Sequence, residues 1–156
     1  MSIALRPMRA DEFDGYLDYF IPDYAAEISS NYDLPLDEAQ ARASREINDD
    51  LAQGVDTSGH ELLCIVEESD VLGYIWYKPD QQARSVFVYD FCILTPHQGK
   101  GYGKRALTAF KALMSSAGFE QIGLRVAAND KRAQNLYLKG GFVATGVNMI
   151  RRIGQD

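Results

Sequence analysis

The chain has 156 residues, enough for a single domain, residues 1–156, that buries roughly two-thirds of its unfolded surface without disulfide or metal staples. Its 46% hydrophobic and 11% aromatic content excludes disorder, no apolar run nears the roughly 18 residues of a membrane helix, and the opening MSIALRPMRADEF has no signal-peptide core, which points to a soluble, cytoplasmic protein. The net charge of −6 divides into −10 over residues 1–61 and +4 over residues 62–156, a balance unlike that of a nucleic-acid binder but suited to drawing positively charged molecules toward the front half.

Ile3 to Met8 reads as a short strand, after which Asp11 is placed to cap a helix carrying Phe13, Tyr16, Leu17 and Phe20 at helical spacing. Pro22 is expected to break that helix. A second helix follows Leu34-Pro35, with Ala39, Ala43, Ile47 and Leu51 four apart on one face, and Gly54 closes it. Beyond the loop Thr57 to His60 come three strand-like runs, Leu62–Glu67, Val71–Lys78 and Ser85–Leu94, whose short connections suit an antiparallel meander. Cys64 and Cys92 fall inside these runs without a CxxC or Cys/His pattern, so free buried thiols are expected and no metal site. A helix burying Leu107, Phe110, Leu113 and Met114 stops at Gly118; then come a strand Ile122–Ala127, a helix carrying Tyr137, and a last strand from Val143 to about Ile153. The sum is an α/β (α+β) mixed sheet with helices on both faces, and its last strand or sheet edge is a place where a homodimer can form.

Between the third strand and the helix that follows, the segment Gln98-Gly99-Lys100-Gly101-Tyr102-Gly103-Lys104 has the composition of an anion cradle. Glycines let successive N–H groups face one ligand, the helix N-terminus adds its dipole, and Lys100, Lys104 and Arg105 add charge. A phosphate or pyrophosphate is the natural guest. No stretch supplies GxxxxGK[ST], which excludes a P-loop. Residues 101–106 do match GxGxx[GA], the dinucleotide fingerprint, but the next strand ends in Ala127-Ala128-Asn129 rather than in a ribose-binding acid.

The cradle gains meaning from the cluster Asn129 to Phe142. Gln98-Gly99-Lys100-Gly101-Tyr102-Gly103 fits [QR]xxGx[GA], and Ala133, Leu136, Tyr137, Gly141 and Phe142 fit AxxLYxxxGF behind a strand that ends in Asn. In this order and separation the two resemble the motifs of the GCN5-related N-acetyltransferases (GNAT), over roughly Glu61 to the end. The resemblance implies the GNAT fold, with a mostly antiparallel central sheet. Residues 61–156 would form the acetyl-CoA-binding core and residues 1–60 the acceptor-side helices.

It also implies roles. Phe91, Cys92, Ile93 and Leu94 would run along the pantetheine arm of acetyl-CoA, residues from Gln98 to Lys104 would hold the pyrophosphate, and Asn129 would bond the arm's amide. Tyr137 would lie near the sulfur and donate to it as it leaves; an oxyanion hole is expected from backbone N–H near Ile93 or Leu94. The reaction would be direct transfer to a primary amine in a ternary complex, without a covalent enzyme intermediate. An ordinary amine with pKa near 10.4 needs a base at neutral pH, and Asp90 is the acid within reach, with Glu67, Glu68 and His60 behind it. Arg125 would suit an acceptor carrying a carboxylate, and His97 would shape the cradle. A non-catalytic acyl-CoA-binding regulatory module and a dinucleotide-binding protein are the alternatives.

Overall fold

A computed structural model describes residues 2–154. Five strands form one sheet in the order β1-β2-β3-β4-β5: Ala4–Pro7, Glu61–Glu67, Asp70–Asp80, Ser85–Ile93 and Gln121–Leu124. The first four are antiparallel neighbours, and β5 joins β4 in parallel. This is the mixed sheet expected from the sequence, and its antiparallel run is unlike the parallel array of a dinucleotide fold.

Helices cover both faces because the strands alternate apolar side chains to either side. On one face α1 (Phe13–Tyr32) sets Tyr16 and Phe20 against Cys64, Tyr74 and Trp76, joined by Ile47 of the second helix, α2 (Leu36–Asp50), and by Leu51 at its C-cap. On the other, α3 (Tyr102–Ser116) packs Ala106, Phe110 and Met114 on Ile65, Ile75 and Val86. Each fully buried side chain of this size contributes about 1.5–3 kcal/mol of transfer free energy. Leu113, expected inside, is 38% exposed, because the sheet takes the Ala106, Phe110 and Met114 side of the helix. The small α4 (Lys131–Lys139) follows β5.

The start of α1 differs from the expectation. Asp11 does not cap it; residues Ala10–Glu12 form a 3-10 turn, and the Glu12 carboxylate accepts the Arg9 N–H at 2.8 Å. Arg6 donates to both oxygens of the same carboxylate at 2.8 Å, which holds it down to about 2. Nor does Pro22 end the helix. Its ring lies on the exposed side, and the Asp18 carbonyl it deprives of a donor belongs to an exposed turn that water can serve. The helix therefore runs on, burying Ala25 and Ile28 against Ala39 and Ala43 of α2.

The final strand does not form. Residues 142–152 have neither helix nor strand structure, and β5 is shorter than expected, ending at Leu124. Local alternation specifies an extended conformation, but a ladder also needs a partner, and this segment is paired with no strand among the described residues.

Candidate active site

The site begins with an irregularity in β4. Trp76 of β3 lies opposite Asp90 while Tyr77 lies opposite Val88, so Tyr89 is an extra residue, a β-bulge. Its ring stacks on Trp76 at 4.8 Å between centroids. Pairing of β4 with β5 stops at this level, at Val88 and Leu124. From Tyr89 to Ile93 the β5-facing edge of β4 has no strand partner among the described residues. The Leu94 N–H is bonded to the Leu72 carbonyl at 2.8 Å. By strand alternation, the backbone groups of Phe91 and Ile93 turn the other way, to the open edge. Leu94, offered by the sequence as an oxyanion donor, thus has its N–H engaged, and Ile93 is left.

Close approach of β3 makes this geometry unforgiving. A Cβ on Gly73 would stand 1.9 Å from the Cys92 carbonyl oxygen, so only glycine fits opposite the working end of β4. Nothing in the local pattern marks this requirement, since Gly73 stands inside the Val71–Lys78 run as one strand residue among others.

Beyond β4 the chain makes a 3-10 turn, Thr95–His97, and enters the cradle. Gly99 and Gly101 have φ of +78° and +82°, and Gly101 is the N-cap of α3. The N–H groups of Tyr102, Gly103 and Lys104 open that helix and have no acceptor within it. Gly103 is helical; a Cβ there would touch Leu136 at 3.6 Å, so it lets α4 pack close. Lys100 and Lys104 are exposed beside the turn. Arg105 instead meets Glu67 at 3.5 Å and lies over the Tyr102 ring, whose hydroxyl also donates to Glu67 at 3.0 Å. Glu67 is thereby a brace under the cradle. Gln98 donates through Nε2 to the Ile93 carbonyl at 2.8 Å and accepts from Arg132 at 3.5 Å. Arg132 is a cation at the cradle that sequence reasoning left unassigned. His97 has its ring 6.4 Å from that of Tyr102.

On the far side of the open edge, Gln134 ties the loop after β5 by donating to the carbonyls of Ala127 and Ala128, and Asp130 caps α4 by accepting the Ala133 N–H at 3.0 Å. Asn129 between them donates to Ser30 of α1 at 3.1 Å. Tyr137 is edge-on to Phe91 at 6.4 Å and to Phe142 at 5.5 Å. Burial, then the charges of Asp90 and Asp130, push its hydroxyl well above the ordinary tyrosine value, so it keeps its proton.

Asp90 and Cys92 point to the α1 side. The Tyr16 hydroxyl donates to Asp90 Oδ2 at 2.8 Å. Burial raises the Asp90 carboxyl from 3.8 to about 7, against the hydrogen bond from Tyr16, with Asp23 and Glu27 adding repulsion. The Cys92 thiol is pushed up by burial and by Asp90, as Cys64 is by burial, so neither is a ready thiolate. Asp23 and Glu27, one turn apart on α1, are also raised, chiefly by burial, with the Arg125 charge opposing at Glu27. His60 accepts from Trp76 Nε1 at 3.0 Å, and Glu68 is an exposed turn residue with φ of +55°. Among the described residues no group of three or more His, Cys, Asp and Glu is arranged to hold a metal, and no helix is long and apolar enough to cross a membrane.

The open edge, the glycine turn and α4 thus adjoin one another, through Phe91 and Tyr137 and through Arg132 and Gln98. Residues 23–142 match the acetyltransferase (GNAT) family. The chain is 35% identical over 157 residues to a Bacillus subtilis (strain 168) protein described as the uncharacterized N-acetyltransferase YycN, covering 98% of this chain and 100% of that protein. The crystal structure of YycN superposes with a TM-score of 0.91 at 32% identity, over 99% of this chain and 100% of that one. The PaiA N-acetyltransferase of Thermoplasma acidophilum, solved in complex with coenzyme A, shares the fold with a TM-score of 0.70 at 16% identity, over 95% and 94% of the two chains.

Proposed function

The chain belongs to the GNAT acetyltransferase family, and on the premise of acetyl-CoA-dependent acetyl transfer we propose that it acetylates a primary amine by direct attack on the thioester in a ternary complex. The observation that carries this reading is the unpaired edge of β4 from Tyr89 to Ile93, followed after the 3-10 turn Thr95–His97 by the glycine cradle. The left-handed turns at Gly99 and Gly101 and the free N–H groups of α3 suit a pyrophosphate, which supports acetyl-CoA as co-substrate. Gln98 and the residues through Lys104, with Arg132 added here, would hold the phosphates. Phe91, Cys92, Ile93 and Leu94 would line the arm, and Asn129 would exchange its bond to Ser30 for one to the arm's amide. Bound acetyl-CoA supplies an activated acyl group and a thiolate leaving group.

Ile93 N–H is the donor best placed by alternation to face a developing oxyanion. Tyr137 is suited to donating a hydrogen bond to the leaving sulfur without surrendering its proton: a tyrosine near 10 against a thiol near 8.5 already makes full transfer uphill by roughly 2 kcal/mol, and burial widens that gap. Asp90, titrating at about 7, is suited to accepting the amine's proton in the neutral range. The raised Cys92 thiol argues against an acetyl-cysteine step. Asp23 and Glu27 of α1, whose charges reach Asp90, would attract a cationic acceptor, in keeping with the acidic balance of residues 1–61. In this reading residues 1–156 act as one domain, with 1–60 on the acceptor side and 61–156 holding the cofactor.

Calorimetric titration with acetyl-CoA, with NADH as control, tests the cradle, and a thiol-release screen over amines tests the transfer. Saturable binding of acetyl-CoA with turnover of an amine supports the proposal. Binding without turnover of any amine favours the regulatory module, and binding of NADH alone would contradict the cradle's assignment.

A further inference from the structure

Consecutive residues of a regular strand point to opposite faces of the sheet. At the bulge in β4 they do not. Tyr89 stacks on Trp76 while Asp90, the next residue, accepts the Tyr16 hydroxyl, and Trp76 and Tyr16 belong to one cluster between the sheet and α1. The extra residue therefore turns a ring and a carboxylate to the same side. Phe87 stands edge-on to Tyr89, with centroids 5.2 Å apart and planes at 73°, which makes a corner of two rings. Both are 43% exposed, whereas the Trp76 ring that Tyr89 covers is buried and held by its bond to His60, whose own ring lies 5.7 Å from that of Tyr89. A fixed foundation thus carries two open ring surfaces. Gly123 of β5, opposite Phe87, leaves that ring uncovered: a Cβ there would stand 3.6 Å from Phe87 Cδ2, so any larger side chain would lie against it. Phe87 also walls an open cleft of about 480 Å³ with Lys78, Asp80, Gln81 and Ser85, which gives a ring with polar substituents room and partners.

We propose that Phe87 and Tyr89 form the acceptor subsite for a planar ring, so that the preferred substrates are primary amines carrying an aryl group on a short linker. This deepens the amine-transfer reading above and rests on it. The ring occupies the corner of the two side chains and its ammonium faces Asp90. Consecutive Cα atoms are about 3.8 Å apart, so one or two methylenes join the two positions. A ring set against rings gains offset or edge-on contacts that a saturated group of equal size does not. Charge agrees, because Asp90, with Asp23 and Glu27 adding their negative charge, draws the cation, and aromatic faces favour it as well. A linear polycation would use the charge but not the corner.

Calorimetric titration at neutral pH, in excess coenzyme A, with phenethylamine, cyclohexylethylamine and cadaverine tests the proposal. Emission of Trp76, the chain's single tryptophan, reports the place of binding. The two ethylamines are both cations at this pH and similar in size, so their difference reads the ring. Phenethylamine should bind at least about fivefold more tightly than either of the others and should change Trp76 emission saturably. In Phe87→Leu and in Gly123→Leu, which covers the corner without removing a ring, that advantage should shrink to less than about twofold. Neither residue belongs to the buried core. Equal affinities in the wild-type protein, tighter binding of cadaverine, no binding, an unmoved Trp76 emission, or an advantage that survives in either variant overturns the proposal. Acetyl transfer to the same amines separates the subsite from the reading it rests on. Ring-dependent binding without acetylation of any amine contradicts amine transfer and leaves the subsite in place. Acetylation of both ethylamines, in a ratio of kcat/KM that neither variant moves, contradicts the subsite and leaves amine transfer in place.

Discussion

Replacing Asp90 by Asn separates what its carboxyl costs the fold from what it gives the reaction. In the unfolded chain the group ionises near pH 4; in the folded chain burial holds it at about 7. Between these values the native state keeps a proton that the unfolded state has released, so stability falls as pH rises. Each unit of difference is worth 1.36 kcal/mol, which over about three units makes this one group cost about 4 kcal/mol at pH 8 relative to pH 4. Asparagine retains an oxygen to accept the Tyr16 hydroxyl and loses the charge. Urea unfolding of both proteins at pH 4.5, 6, 7 and 8 should show little difference at the acid end and a variant more stable by up to about 4 kcal/mol at pH 8. The same variant should lose about 10²-fold or more in kcat/KM toward amines with a pKa near 10. A stability difference independent of pH would refute the burial argument, and full activity in a stabilised variant would reduce Asp90 to a structural acceptor.

Tyr16→Phe removes the donor that opposes the burial shift, so the acid limb of the kcat/KM profile governed by Asp90 should move to higher pH; an unmoved limb would detach Asp90 from the rate. Tyr137→Phe should lower kcat by about 10- to 100-fold with acetyl-CoA affinity measured by calorimetry unchanged. Gly101→Val places a β-branched residue at φ of +82° and should weaken acetyl-CoA about tenfold or more while sparing a phosphate-free acetyl-pantetheine fragment, read by competition binding. Gly73→Ala drives a Cβ into the Cys92 carbonyl and should cost about 3 kcal/mol or more of stability in urea, and a neutral result would contradict the β3–β4 approach described above.

What the sequence carried best were features written in local chemistry. The cradle needs glycines at alternate turn positions, and Gly99 and Gly101 adopt the left-handed conformation that such a turn requires. The meander of β2 to β4 follows from alternation and short turns, and each strand lies within a few residues of its expected span. Features set by tertiary context were harder to read. Pro22 is tolerated because of which side of α1 it occupies, and the bulge at Tyr89 is a relation between two strands. Tyr16 reads as a core aromatic in α1 and only in space becomes the partner of Asp90, 74 positions away. Arg132 hides in the polar start of α4 and appears beside the cradle only through its bond to Gln98. The apolar alternation after Phe142 is legible as strand propensity, but alternation names no partner, and the expected last strand does not form.

Incubation with acetyl-CoA labelled with carbon-13 in the acetyl group, in the presence of a panel of primary amines and followed by mass spectrometry of both products and protein, addresses direct acyl transfer without an intermediary. Label recovered as the amide of an amine, with the intact chain unlabelled throughout turnover, is the predicted result. Label held covalently on the chain, at Cys92 or elsewhere, and released to the amine only in a second step would contradict it.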